Sequence, residues 1–594
     1  MNKTEKIICI LLGAALAWYI WNENGKAKER ARLAAEQSAS VAFTNETVAV
    51  EARSQATPAA AAEAEKPQDV KSEEFPAPSV PENLVVLESD EAKLELSTWG
   101  AVVKKATLKK FARDAGEISE SNPAVELDFA SSPLGELRGA KGLAPNAAYE
   151  VASTTSNSVV FANGAVKRTV RLEPGYRIVY EEEFGGADSP LKGAESTISL
   201  GVMSMGTSKN DLLSVDSLDA RNDRGKEEVV HHCEGDSPLK TYLVGGLSGG
   251  CSGSSSAAGM PESVRAGVAD EQKWIAVKNR FFVSALASSD AAISGFDAEI
   301  ARDTGVASYR PKSVAVRAKF GDVGPKRTTT FYVGPKKQSL LWDLGMKDVM
   351  EFGMWRWICY PLVWVLNLFN GWIPNYGIAI ILLTILVRVL FWPLTHKSTV
   401  GMKKMQELQP KMKALQEKFK DNPQRLQQET WALYKSEKVN PMSSCLPMLI
   451  QIPVFIALFN VLRSAVELRY APFLWICDLS EPEGLFASWF PFGGLNVLPV
   501  LMAVTTGLQS AFTPSTGDKS QQRMMMVFMP TMMLVMFYSF PSALSLYWFL
   551  SNIFSIVQMW IIRRQTEKAR GAGALMPDQI IDPPQTRQMR RHGR

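Results

Sequence analysis

One charged residue stands inside a long apolar stretch. Arg388 belongs to Ile378–Leu394, a run of mainly aliphatic and aromatic residues long enough to lie in a bilayer. A guanidinium stays charged at physiological pH and costs roughly 2.5–3.5 kcal/mol at the centre of a spanning helix. Two interpretations remain open: Arg388 reaches the headgroups near Pro393 and His396, or it lies in a water-filled cavity, which we favour. Thr384 is on the same helix face, where its hydroxyl either bonds its own backbone or extends a polar stripe.

Residue types that could carry catalysis or bind a metal are sparse. The chain has four histidines and six cysteines, and no cysteine pair has the spacing of a zinc site or a thioredoxin motif. It contains no Walker A loop, dinucleotide fingerprint, HExxH motif or Ser-His-Asp set. We therefore expect no enzyme activity, metal, cofactor or nucleotide. Cys233 and Cys251 form a disulfide if their loop lies outside the cytoplasm, and two free thiols are the alternative.

Length and composition divide the chain into two parts. At 594 residues it is too long for one hydrophobic core, and its net charge of +4 gives no indication of nucleic-acid binding. The first half is polar, whereas the second half is hydrophobic and rich in methionine and tryptophan. We expect a multi-domain protein with a membrane-embedded second half.

The sequence predicts that the first half of the chain has three structural segments. Residues 1–21 resemble a membrane anchor with its N-terminus inside, and a cleaved signal peptide is the alternative. Residues 22–83 are rich in Ala, Glu, Ser and Pro and predict a flexible tether. From 84 to 338, short alternating runs separated by Gly, Pro, Asn and Asp predict an antiparallel β-sandwich that serves binding or docking.

The second half predicts helices whose orientation follows from charge. Residues 345–370 are rich in aromatic residues and predict an amphipathic helix in the outer interface, with a full span as the alternative. Residues 395–442 hold ten Lys/Arg and five Asp/Glu, whereas 469–492 hold one Arg and three acidic residues. The positive-inside rule therefore places 395–442 in the cytoplasm.

That cytoplasmic segment predicts a helical hairpin over 397–440. Apolar residues recur at three- and four-residue steps from Met402 to Phe419, and Asp421-Asn422-Pro423 breaks the pattern, with Pro423 suited to the first turn of a second helix. Four further apolar stretches complete a core over 371–562: Pro441–Leu468, Leu495–Phe512, Met524–Phe540 and Leu544–Ile562. Their alternation leaves the basic tail, 563–594, in the cytoplasm.

Several stretches between 370 and 564 resemble the YidC/Oxa/Alb family of membrane-protein insertases. They are ILLTILVRVLFWPLTHKS, the hairpin, ALYKSEKVNPMSSCLPMLIQIPVFIALFNVL, the VELR and APFLWICDLS loop, and FPSALSLYWFLSNIFSIVQ. The anchor, tether and sandwich resemble the Gram-negative YidC layout. This implies six spans, a five-helix core around a hydrophilic groove, and an extracytoplasmic β-supersandwich. The groove residues that the resemblance implies are Arg388, Thr384, Gln451, Ile452, Phe455, Met536, Tyr547 and Trp548.

The resemblance also implies a function and partners. They are insertion and folding of nascent inner-membrane proteins, alone or with the Sec translocon, with no nucleotide. The hairpin and basic tail are candidate docking sites for the ribosome and the signal recognition pathway, and membrane lipids surround the core. The expected location is the inner membrane, with both termini cytoplasmic and residues 22–345 periplasmic. The alternatives are an ion-coupled transporter and a receptor that senses a periplasmic ligand.

Overall fold

The described part of the chain contains a β-rich region followed by helices. The computed structural model describes residues 75–76, 78–164, 166–185, 195–204, 213–219, 228–233, 263–265, 272–302, 311–321, 323–437, 439, 446–485, 494–513 and 519–571. Every element named below lies in the compact unit formed by Ala77–Arg302 and Arg310–Arg594. The predicted anchor, the tether up to residue 74, Cys251 and residues 572–594 of the tail lie outside the described residues.

The described strands form two sheets in which paired strands are antiparallel. One sheet has the order β1-β2-β3-β4, and the other has the order β5-β10-β17-β16-β14-β15-β18-β9-β8-β7-β6, with β11 paired to β12 and β14, and β13 to β16. The strands are β1 Leu84–Glu88, β2 Ala92–Ser97, β3 Val102–Ala112, β4 Ala124–Asp128, β5 Leu137–Arg138, β6 Glu150–Thr154, β7 Ser158–Asn163, β8 Val166–Glu173, β9 Arg177–Phe184, β10 Ser196–Ser204, β11 Ser214–Asp219, β12 Glu228–Cys233, β13 Ser263–Arg265, β14 Gln272–Lys278, β15 Phe282–Ser289, β16 Ile293–Arg302, β17 Pro311–Phe320 and β18 Lys326–Pro335.

Alternation of side chains explains why these segments form a sandwich. Along β8, every second residue from Val166 is buried, because successive side chains in a strand point to opposite faces. The inward positions of the strands together form a core in which Phe129, Phe161 and Phe296 are fully buried. The predicted antiparallel β-sandwich is confirmed.

The chain continues from the sandwich into helices. They are α1 Gln338–Asp343, α2 Arg356–Trp372, α3 Tyr376–Lys418, α4 Pro423–Ser436, α5 Leu446–Ser464, α6 Val497–Phe512, α7 Lys519–Phe537 and α8 Ser542–Gly571. Helix α2 is amphipathic: Trp357, Trp364 and Trp372 lie on one exposed stripe, while Leu362 and Leu366 are buried on the other side. Tryptophan in such a stripe is typical of a membrane–water interface.

Helix α3 joins two separately predicted segments, the apolar run Ile378–Leu394 and the first arm of the hairpin. It is 43 residues long and continues from the apolar run through Pro393 and Pro410 into the first arm of the predicted hairpin. Its N-terminus is capped by Asn375, whose side chain accepts a hydrogen bond from the Ile378 N–H. The predicted break is confirmed, because α3 ends before Asn422, which caps α4, and Pro423 is the first residue of α4.

Two of the described helices are long and apolar enough to cross a bilayer: α3, and α8 over Ser542–Gln565. The described apolar parts of α5, α6 and α7 are shorter, namely Gln451–Ser464, Val497–Phe512 and Met526–Phe537. Large apolar side chains on the outer faces of these helices are exposed, among them Val389, Leu390, Val504 and Val535. Exposed aliphatic surface on several helices indicates an apolar surrounding such as lipid.

Candidate functional site

Arg388 lies on α3 in a half-buried position. Within the part of the chain that the structure describes, its guanidinium has neither a hydrogen bond nor an ion pair. It does interact electrostatically with Tyr547 of α8, whose side chain is buried. The charge of Arg388 therefore lies close enough to α8 to interact with Tyr547.

Helices α3 and α8 each carry three polar residues with the same spacing along the chain. On α3 these are Thr384, Arg388 and Thr395; on α8 they are Tyr547, Ser551 and Gln558. The Gln558 Nε2 donates to the Thr395 Oγ1 at 2.9 Å. Spacings of four and seven residues keep each set on one helix face, so a polar stripe extends along the contact between the two helices.

Thr384 and Asn552 in the helical core are satisfied within the protein. Thr384 is fully buried, and its hydroxyl donates to the Ile380 carbonyl at 2.7 Å, which is one of the two roles considered for it above. The Asn552 side chain donates to the hydroxyls of Thr505 and Thr506 on α6 at 3.2 and 2.9 Å. These bonds stabilise helices and helix pairs, and Arg388 is the charged residue of the stripe.

An aromatic cluster lies on the other side of α8. The rings of Phe455 on α5 and Trp548 on α8 meet edge to face, with centroids 4.9 Å apart. Phe537, which is fully buried, lies 5.4 Å from Trp548, and Phe459 and Phe540 complete the cluster. Such edge-to-face contacts contribute about 0.5–1.5 kcal/mol beyond burial. The cluster joins three helices at the level of Trp548.

The structure brings some of the implied groove residues together and leaves others apart. Arg388 interacts electrostatically with Tyr547, and the Phe455 ring contacts the Trp548 ring, whereas Met536 is half-buried against the core. Gln451 is half-buried and has no hydrogen bond among the described residues, and Ile452 is exposed on α5.

Sequence reasoning missed three aromatic residues of the cluster and the partner of Gln558. Phe459 follows Phe455 by four residues, a spacing that predicts a shared helix face. Phe537 and Phe540 also contact each other, with centroids 5.1 Å apart, but their contacts with Phe455 and Phe459 on α5 carry no such signal, because about 80 residues separate the partners. No group of three or more His, Cys, Asp or Glu residues in the described segments is arranged to hold a metal ion.

Comparisons with known proteins match both regions. The family described as 60Kd inner membrane protein matches residues 368–569, and the family described as YidC periplasmic domain matches residues 254–365. A membrane protein insertase YidC from Syntrophobacter fumaroxidans is 47% identical over 239 residues, which are 39% of this chain and 43% of the relative. One of the same name from Syntrophus aciditrophicus is 39% identical over 300 residues, which are 49% and 52% of the two chains.

The matched regions span about half the length of these relatives or less. Among solved structures, an active YidC insertase with its first transmembrane domain resolved is 17% identical and has a TM-score of 0.32, covering 80% of this chain and 91% of that chain.

Fold and site define a protein that joins a β-sandwich to an apolar helical core with a polar stripe. The family matches fall on these same two regions. The chain is thus similar to the 60Kd inner membrane protein family over residues 368–569 and to the YidC periplasmic domain family over residues 254–365. The relatives carry the name of an insertase rather than of an enzyme, in agreement with the expectation from the sequence.

Proposed function

We propose that this chain inserts inner-membrane proteins into the bilayer and assists their folding, using a hydrated groove that contains Arg388. The single observation that carries the proposal is the half-buried guanidinium of Arg388, which has no hydrogen bond or ion pair among the described residues. An uncompensated charge on an apolar helix is costly, so its retention is typical of a site that handles a polar or charged group. The names of the relatives support this function.

The groove would act by shortening the dry path across the bilayer. A substrate's polar tail has to cross about 30 Å of hydrocarbon, and a wet groove partway through lowers the desolvation cost. Arg388 would pair transiently with acidic groups of that tail through charge-assisted hydrogen bonds. The apolar segment of the substrate then leaves sideways into lipid, and burial at about 25 cal/mol per Å² supplies the free energy.

The contact between Phe455 on α5 and Trp548 on α8 would form a second side of the proposed groove. Ile452 is exposed on α5 three residues before Phe455, which contacts Trp548. Apolar side chains along this line would contact the departing segment, with Gln451 at the polar edge. Met536 would add a soft, adaptable surface that accepts different sequences.

The proposed topology has six spans, with both termini cytoplasmic and residues 22–345 periplasmic. The excess of basic residues over 395–442 supports a cytoplasmic position for α4 and the end of α3. Substrates are nascent membrane proteins, delivered with or without the Sec translocon. The exposed Trp431 on α4 and its basic neighbours would provide a docking surface for the ribosome or the signal recognition pathway.

Substitution of Arg388 tests the charge. We expect Arg388→Ala and Arg388→Glu to reduce insertion of a reporter with an acidic tail roughly tenfold or more, because a lost charge-assisted bond is worth about 1.5–3 kcal/mol. A reporter with a neutral tail should be less affected, and Arg388→Lys should retain partial activity. The matched control is Arg564→Ala, since that guanidinium lies over the Trp560 ring near the end of α8.

Water access tests the groove itself. In a chain whose native cysteines are replaced by serine, Cys at position 388 should react with a membrane-impermeant maleimide added from the cytoplasmic side. Cys at position 504, an exposed apolar site on α6, should not react. An unreactive position 388, or equal insertion of both reporters by all Arg388 variants, would contradict the proposal.

A further inference from the structure

The turn between β14 and β15 carries one arginine into the helical core. Asn279 shapes this turn, because its side-chain oxygen accepts hydrogen bonds from the N–H groups of Phe281 and Phe282 at 3.1 and 2.8 Å. Arg280, which follows Asn279, is buried, and its guanidinium stacks on the Phe281 ring, 4.7 Å from the ring centroid. The side chain is therefore held in one direction, toward the helices.

The guanidinium of Arg280 binds two separate parts of the helical core. Its Nε donates to the Arg463 carbonyl at 2.8 Å, in the last turn of α5. Its two terminal nitrogens donate to the Ser480 carbonyl and to the Glu481 carboxylate. Carbonyl groups in the last turn of a helix lack intrahelical partners and carry partial negative charge, so a cation is favourable there.

The loop that contains Ser480 and Glu481 also caps α8. The Glu481 carbonyl accepts hydrogen bonds from the Ser542 N–H at 2.9 Å and from the Ser542 hydroxyl at 2.6 Å. The Ala543 N–H donates to the Leu479 carbonyl at 3.0 Å. These bonds satisfy N–H groups that the first turn of a helix leaves free. One arginine of the sandwich thus connects the end of α5 to the start of α8.

We propose that Arg280 is a positioning residue that sets the spacing of α5 and α8, and through it the contact between Phe455 and Trp548. Phe455 lies about 12 Å along α5 from Arg463, and Trp548 lies about 9 Å along α8 from Ser542, at 1.5 Å per residue. If the C-terminal end of α5 or the N-terminal end of α8 moves, the aromatic pair should therefore move with it, because only about two turns of rigid helix lie between. The proposal assigns the sandwich a role in the geometry of the proposed groove and rests on that proposed function.

A second arginine keeps the sandwich attached independently of Arg280. Arg469 of the helical region donates to the carbonyls of Ala112 and Arg113, just at the end of β3, at 2.8 and 3.0 Å. Its guanidinium also lies over the Phe282 ring. Loss of Arg280 should consequently loosen the cap of α8 without detaching the sandwich.

Hydrogen exchange of the full chain in detergent tests the geometry without reference to insertion. In Arg280→Ala, we expect the peptide covering the Ser542 and Ala543 amides to exchange about tenfold faster, which corresponds to one lost hydrogen bond. Arg280→Lys keeps the positive charge and a donor for one of the acceptors. It should therefore restore part of the protection of these amides against exchange. The matched control is Arg317→Ala, which removes an arginine paired with Glu299 on the sheet. Unchanged exchange in Arg280→Ala would overturn the proposal.

Reporter insertion tests the consequence for function. Arg280→Ala should reduce insertion several-fold, Arg280→Lys should recover part of it, and Arg317→Ala should match the unmodified chain. Faster exchange with normal insertion would overturn the positioning role. If the unmodified chain inserts no reporter, the proposed function fails, while the exchange result still decides whether Arg280 fixes α5 and α8.

Discussion

Three charged side chains in the sandwich core allow a stability prediction of defined size. Glu182 on β9 is the cross-strand partner of Arg168 on β8 and of Arg327 on β18, and the three side chains are at most 1% exposed. The Glu182 carboxylate accepts from the Arg168 Nε at 2.9 Å and from the Arg327 Nε at 2.7 Å. Among the described residues, Glu182 supplies the carboxylate that forms an ion pair with each of these arginines.

Glu182→Gln should destabilise the sandwich strongly. The substitution keeps the shape but leaves two buried guanidinium groups without a counter-charge, and breaking a buried pair in this way costs about 3–5 kcal/mol. Against a typical domain stability of about 5–15 kcal/mol, this is a large fraction. The measurement is urea unfolding of the full chain in detergent, followed by pulse proteolysis with detection of peptides from β8 and β9.

The neighbouring residue provides the control. Glu183 points to the other face, where it pairs with Lys326 in solvent, and Glu183→Gln should change the unfolding midpoint little. A Glu182→Gln midpoint equal to that of Glu183→Gln would refute the reasoning, because it would mean that the buried charges are relieved by water or by rearrangement.

The same group gives a pH dependence. Burial alone raises the pKa of Glu182, but Arg327 and Arg168 outweigh burial and hold this pKa below its usual value. A carboxyl with a lowered folded-state pKa contributes stability that is present above its unfolded-state pKa, about 4.3, and is lost as pH falls through the folded-state value. The sandwich should therefore become less stable as the pH is lowered below about 4. The Glu182→Gln substitution should weaken this dependence of stability on pH.

Two substitutions in the helical region have expected effects from the same structure. Gly377→Ala should lower the free energy of unfolding by about 1–3 kcal/mol, because a Cβ there would lie 2.1 Å from the Phe473 ring. A thermal shift assay measures the loss. The control is Gly371→Ala, which should show no such loss because its Cβ meets nothing within 4 Å. Asn552→Ala should cost about 0.6–1.7 kcal/mol through its interhelical bonds. Ser555→Ala, which removes a bond within α8, should cost less, and equal losses would contradict the interhelical assignment.

Local patterns in the sequence predicted the strands and the break after α3, because each depends on neighbouring residues. The inward position of Arg168 also follows from alternation along β8. Its pairing with Glu182 follows from the short β8–β9 hairpin, but the pairing of Arg327 with Glu182 does not, since 145 residues separate them. Propensity and periodicity contain no information on which distant strands become neighbours.

The helical site shows the same limit. Composition alone identifies Arg388 as an anomaly, but Tyr547 approaches it only because α3 and α8 pack together. Arg280 had no signal at all: it is one arginine in a short turn, and its acceptors are the main-chain carbonyl groups of Arg463 and Ser480 and a carboxylate. Main-chain acceptors leave no trace in the sequence, so such contacts can be found only from the structure.

The distribution of satisfied polar groups in the helical core bears on where the proposed groove would lie. Asn552 and Gln558 bond across helices, and Thr384 bonds its own backbone, so these groups need no water. Arg388 and Gln451 have no such bonds among the described residues. An unsatisfied polar group in hydrocarbon costs several kcal/mol. Under the proposed function, Arg388 and Gln451 would therefore face water or a substrate, while the groups that bond across helices would hold the helices together. The proposed groove would then run between α3 and α5, with α8 behind it.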